Sequence, residues 1–97
     1  MQAHECTTLA QARTEIDRLN SAILQLLAQR QQYVARVAAL KTDVSEVPAP
    51  ERRAAILQQV AQEATDLGMS PDVALAVFNA MIDAFIAWET KQFKDLH

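Results

Sequence analysis

Apolar residues recur at intervals of three and four from the start of this chain: Leu9, Ala12, Ile16, Leu19, Ile23, Leu26, Leu27, Val34, Val37 and Leu40. That spacing is the period of an α-helix with one apolar face. Thr8, followed three residues on by Gln11, gives a capping-box start, and neither Pro nor Gly interrupts the run before Lys41. The pattern predicts a first helix over about residues 8–42. At 1.5 Å per residue it would be roughly 50 Å long. A compact domain of this size has a radius of gyration of roughly 13 Å, which such a rod overshoots. It must bend back or pack along a second copy, and the second solution, an intertwined homodimer, is the expectation.

The segment Asp43–Pro50 (DVSEVPAP) breaks the period. Its prolines disfavour helix at Val47 and Ala49, so residues 43–49 are expected to form the one substantial loop. Pro50 at a first helical turn, followed by Glu51, opens a second helix over about 50–67, with Ile56, Leu57, Val60, Ala61 and Ala64 inward and Gly68 as its stop. Ser70-Pro71-Asp72 then caps a third helix over about 71–94. From Val73 to Trp88 that helix is apolar almost all round, which marks it as the most buried element. The expected fold is all-α, three helices in the order long, short, medium, forming a single domain over 1–97.

Composition supports this and narrows the function. One glycine in 97 residues leaves no material for a hairpin-rich β fold, a phosphate loop or a dinucleotide-binding turn. A formal net charge of −3 weighs against nucleic acid or an anionic membrane as partner. The Val73–Trp88 run is broken by Asn79 and Asp83 and is short for a bilayer span. The single Cys6 excludes an internal disulfide framework and, with no signal-like N-terminus, fits a cytoplasmic protein. His4 and His97 stand at opposite ends, so no metal motif and no Ser/His/Asp arrangement is available. Cys6 and Trp88 read as packing residues.

Two cations sit where an apolar face should be. With the stripe centred on Ile16, Ile23, Leu27 and Val34, Arg30 and Lys41 fall within roughly 40° of it and about 20° of each other, at about 100° per residue. Arg13 lies on the stripe's other edge, roughly 60° away. Glu15, Asp17, Arg18 and Arg36 point well away from it. Burying cations costs several kcal/mol unless anions meet them, and nothing acidic in this helix shares their face. One reading pairs Arg30 and Lys41 with an acid of a neighbouring helix, or lets them snorkel. The other makes them a pocket for a small dicarboxylate, with Arg13 supplied by a second copy. Arg53 lies on the apolar side of the second helix and Arg52 on its flank; alone, each reads as a solvated first-turn charge. Glu89, beside Trp88, alone reads as a helix-end carboxylate in water or paired with Lys91.

The segment ARTEIDRLNSAILQLLAQRQQYVARVAALK resembles the first helix of the all-helical (type II) chorismate mutases: Arg-x-x-Ile-Asp, then Leu-Leu-x-x-Arg, then Lys. The resemblance spans about Cys6 to Lys94. Glu5-Cys6-Thr7-Thr8-Leu9 and VPAPER resemble the isochorismate-pyruvate lyase branch of that superfamily, which serves salicylate and siderophore biosynthesis. The resemblance implies an intertwined homodimer with two equivalent pockets. Arg30 and Lys41 of one copy and Arg13 of the other would hold the substrate's carboxylates and ether oxygen. Arg52 would stand beside the pocket, residues 43–49 would form a lid, and Glu89 would occupy the place of the family's polar group on the last helix.

The activity so implied is elimination of pyruvate from isochorismate to give salicylate, a pericyclic reaction without nucleophile, metal or organic cofactor. Lys41 would act on the ether oxygen, with Glu89 in support when protonated. Mutases usually carry Glu directly after the arginine that Arg52 matches, where it binds the substrate hydroxyl; this chain has Arg53, which favours the lyase. The lyase branch in turn implies Gln at position 89, where this chain has Glu. Chorismate mutase, converting chorismate to prephenate, is the alternative enzyme. A non-catalytic helical dimerisation module, its stripe cations in interchain salt bridges, is the alternative outside catalysis.

Overall fold

Capping chemistry sets where the first helix begins. In a computed structural model describing residues 1–97, the Gln11 amide donates to Thr8 Oγ1 at 3.1 Å. The Gln11 side chain does not close the box on Thr8 but accepts from the amide and hydroxyl of Thr7, at 2.8 and 3.1 Å. Helix α1 then runs Leu9–Leu40. The Lys41 amide still donates to the Val37 carbonyl at 3.0 Å. Thr42 instead gives its hydroxyl and amide to Glu46 Oε1, at 2.9 and 3.4 Å, so the helix stops short of the expected residue 42.

The chain divides into two compact units, Met1–Tyr33 and Val34–His97. The first holds a 3-10 turn, Ala3–Glu5, and most of α1. Its stripe residues Ile16, Leu19, Ile23 and Leu26 are 49–64% exposed, far from the burial their spacing asks for. On its polar side Arg18 Nε meets Glu15 Oε2 at 3.0 Å. Cys6 is half-buried and its thiol lies 3.4 Å from Met1 Sδ, a packing contact.

The second unit holds the last turns of α1, a 3-10 turn at Val44–Glu46, helix α2 (Pro50–Asp66) and helix α3 (Pro71–Leu96). The 3-10 turn departs from the expected plain loop. Val47 takes right-handed helical dihedrals although Pro48 follows, and it is buried, 3% exposed. Its amide donates to the Val44 carbonyl at 3.1 Å, a bond that outweighs the steric preference. Gly68 ends α2 as expected, at φ 72°: its amide bonds the Thr65 carbonyl and the Met69 amide bonds the Ala64 carbonyl, which is a Schellman closure. Ser70 accepts from the Val73 amide at 3.3 Å and starts α3.

The core of this unit is the α2–α3 seam, where Val60, Ala64 and Ala74 pack with Ile56, Leu75 and Phe78. The inward face expected of the second helix is therefore observed. Helix α3 buries Ala74, Ile82, Glu89 and Phe93, yet Val73 and Val77 stay more than half exposed. It extends past the expected residue 94 and is long and apolar enough, by length and composition, to cross a membrane. Within this unit it acts as a packing helix, covered on one side by α2 and holding one buried ion-pair partner, Glu89.

Candidate active site

The residue just past the last turn of α1 makes the most informative contact in the second unit. Lys41 Nζ donates to Glu89 Oε2 of α3 at 2.8 Å, and the same ammonium lies 3.4 Å from the Val47 carbonyl. The two side chains are 17% and 9% exposed. Glu89 is thus the one buried charged residue of the chain, not a helix-end carboxylate in water or on Lys91. For Lys41, an acid of another helix is thus a direct partner. In this contact Glu89 Oε2 is the acceptor and the Lys41 ammonium the donor.

A charged pair this enclosed must offset a desolvation cost of several kcal/mol per ion. Excellent geometry helps, and so does a second acceptor for the ammonium, which the Val47 carbonyl provides. The segment carrying that carbonyl is itself held. Asp43 Oδ1 accepts from the Ser45 amide at 2.8 Å, capping the 3-10 turn, and Glu46 is bound by Thr42. Hydrogen bonds from the Ser45 side chain and then its amide hold the Asp43 carboxyl below its ordinary range. The turn also packs against α3. Residues 41–49 therefore form an ordered strap from Lys41 to the start of α2, with Ala49 left-handed at φ 39° where Pro50 begins the helix.

The other expected site residues fall as follows. Arg52, in the first turn of α2, is exposed. In the first unit, Arg30 is half-buried with Nη1 fully enclosed, and Arg13 is exposed. So the structure joins Lys41 to Glu89 and leaves Arg52 facing solvent on the same unit. No three His, Cys, Asp or Glu side chains gather at one place.

One cluster escaped the sequence reading. Arg53 is no solvated charge: Nη1 donates to Asp83 Oδ1 at 2.7 Å and Nη2 to Asn79 Oδ1 at 3.0 Å. Asn79 and Asp83 were visible as a polar pair four residues apart in the otherwise apolar third helix, and Arg53 as a cation on an apolar side. Each oddity is the other's explanation.

Comparison with known proteins gives the arrangement a family. Residues 12–90 match chorismate mutase type II. Isochorismate pyruvate lyase of Pseudomonas aeruginosa is 34% identical over 90 residues, covering 93% of this chain and 89% of that protein. T-protein of Enterobacter agglomerans is 34% identical over 90 residues as well, covering 91% of this chain but 24% of that protein. With three helices, no strand and a match over most of its length, the chain belongs to the chorismate mutase type II family and is an enzyme of the chorismate mutase and lyase type, not a non-catalytic dimerisation module.

Proposed function

We propose that this protein is an isochorismate-pyruvate lyase that releases salicylate and pyruvate, acting as a cytoplasmic homodimer. A ring hydrogen of isochorismate shifts to the enolpyruvyl methylene as the ether C–O bond breaks; the ring becomes aromatic and the side chain leaves as pyruvate. Such a rearrangement takes its atoms and electrons from the substrate alone, so it needs no nucleophile, metal or organic cofactor. What it needs is a reactive conformer held in place and a donor at the ether oxygen, where charge develops.

The observation that carries this reading is the buried Lys41–Glu89 pair at 2.8 Å. It holds an ammonium in one orientation before substrate arrives, which is the preorganisation that charge stabilisation in a transition state requires. In this reading Lys41 addresses the ether oxygen, Glu89 orients Lys41, and Arg30 and Arg52 take the carboxylates. Arg13 comes from the second copy, whose docking would cover the exposed stripe of Ile16, Leu19, Ile23 and Leu26. The 43–49 strap serves as the lid. The similarity to a lyase along nearly its whole length supports the choice of substrate. So does Arg53, whose guanidinium stands where mutases carry a hydroxyl-binding Glu and is committed to α3. A salicylate-forming activity would fit siderophore biosynthesis.

One observation favours the alternative, chorismate mutase: position 89 holds Glu in place of the lyase branch's Gln. Separate incubations with isochorismate and chorismate decide between them, following salicylate fluorescence and prephenate formation. Salicylate from isochorismate with little prephenate is expected. Efficient prephenate formation without salicylate would transfer the assignment to the mutase, and neither product above background would refute both.

A further inference from the structure

Helix α2 begins without the side-chain cap that starts α1 and α3. Its N-cap is Ala49, left-handed and with no side-chain hydrogen bond. Such a start is strained for a residue with a Cβ and offers the orphan first-turn amides nothing. Arg52 nevertheless rises from this turn, and a guanidinium that grips a carboxylate must be held in direction. Some other contact has to fix the turn.

Arg53 makes that contact. Its amide closes the first helical bond of α2, to the Ala49 carbonyl at 3.0 Å. Its guanidinium crosses to α3 and forks, Nη1 to Asp83 Oδ1 at 2.7 Å, Nη2 to Asn79 Oδ1 at 3.0 Å and to the Asn79 carbonyl at 3.3 Å. The Asn79 amide group is itself oriented, Nδ2 donating to the Leu75 carbonyl at 3.0 Å. Asp83 is 68% exposed, and an ion pair that open contributes little by itself. The planar fork onto two residues one helical turn apart, one of them half-buried, supplies the directionality that an ammonium could not.

We propose that Arg53 is a positioning residue: by clamping the first turn of α2 to Asn79 and Asp83, it aims Arg52 at the substrate carboxylate. This rests on the role given to Arg52 under the proposed function. It also means that Arg53→Glu alone does not install a hydroxyl-binding carboxylate, because the new charge meets Asp83 and two oxygens of Asn79 and the turn is driven off α3.

The test compares wild type, Arg53→Ala, Arg53→Lys, Arg53→Asp and the charge-swapped pair Arg53→Asp with Asp83→Arg. It reads kcat and KM for isochorismate together with amide exchange at residues 53–56. Arg53→Ala is expected to raise KM about tenfold with kcat within about threefold, the signature of lost binding without lost chemistry. Exchange at 53–56 should accelerate about tenfold, as for local opening of the helix start. Arg53→Lys keeps the fold and recovers part of both, and the charge-swapped pair recovers more than Arg53→Asp alone. Wild-type KM with wild-type exchange in Arg53→Ala overturns the clamp. A raised KM with unchanged exchange overturns it too, since Arg53 would then be touching substrate itself. Should wild type turn over neither isochorismate nor chorismate, the proposed function fails by itself. The clamp is then decided by the exchange data, and its bearing on Arg52 by whether a dicarboxylate cyclohexene analogue stabilises wild type more than Arg53→Ala.

Discussion

Lys41 and Glu89 stand 48 residues apart in sequence and 2.8 Å apart in space, joining the end of α1 to the last third of the last helix. The Val47 carbonyl, 3.4 Å from the same ammonium, adds the intervening strap to the junction. Three segments thus converge on one charge.

Breaking such a pair from one side leaves a buried charge without compensation. Lys41→Met and Glu89→Leu are each expected to destabilise by about 3 kcal/mol, whereas the two replacements together should lose much less than their sum. Urea unfolding at fixed protein concentration measures this. Strict additivity would show that the two groups do not support each other.

Turnover should separate the two partners. Lys41→Ala is expected to lower kcat more than it raises KM, because its ammonium acts on charge that appears only in the transition state. Glu89→Gln keeps a carbonyl oxygen for Lys41 and should retain more activity than Glu89→Ala. Equal losses in the two Glu89 variants would mean that the negative charge, and not the hydrogen bond, is what matters.

A pocket completed by a second copy predicts complementation. Arg13→Ala and Lys41→Ala enzymes, each inactive, should regain partial activity when unfolded together and refolded, since each mixed dimer carries one pocket free of both changes. Light scattering should give a folded species of twice the 10.8 kDa chain mass. Confirmed mixing without recovery would place the whole pocket in one chain.

The strap should respond to acid through Asp43. Its folded carboxyl ionises at lower pH than an ordinary one, because Ser45 bonds the ionised form. The turn's stabilisation is then complete above about pH 4, the ordinary carboxylate range. It is lost as pH falls through the lowered value. Amide exchange at residues 45–47, corrected for intrinsic rates, should show this acid-side loosening in wild type, and Asp43→Asn, which cannot ionise, should not. The same profile in both proteins would leave Asp43 with no titrating role in the strap.

Helix starts and stops were legible because their chemistry is local: Thr8, Ser70-Pro71 and Gly68 each satisfy backbone groups within a few residues. The oddity of Lys41 on an apolar face was legible too, but not its partner, which lies on another helix and depends on how the chain folds back. Val47 shows the reverse failure, a local rule about residues before proline overridden by one hydrogen bond and burial. Arg53 was misread because it was considered without Asn79 and Asp83, and only packing of α2 on α3 brings those three together. The stripe of α1 is apolar, as its spacing reads, yet Ile16, Leu19, Ile23 and Leu26 stay exposed, which periodicity alone does not foretell.

Trp88, the chain's one tryptophan, immediately precedes Glu89 and meets Phe85 edge-on, with ring centroids 6.4 Å apart. The half-buried indole therefore belongs to the residue next in sequence to the one whose carboxylate holds Lys41. Its emission comes from a single place, so the protein carries its own optical probe on the helical turn that holds Glu89, free of the averaging that several tryptophans impose. Rearrangement of the pair, or a neighbour arriving on α3, can be followed by light without attaching a label.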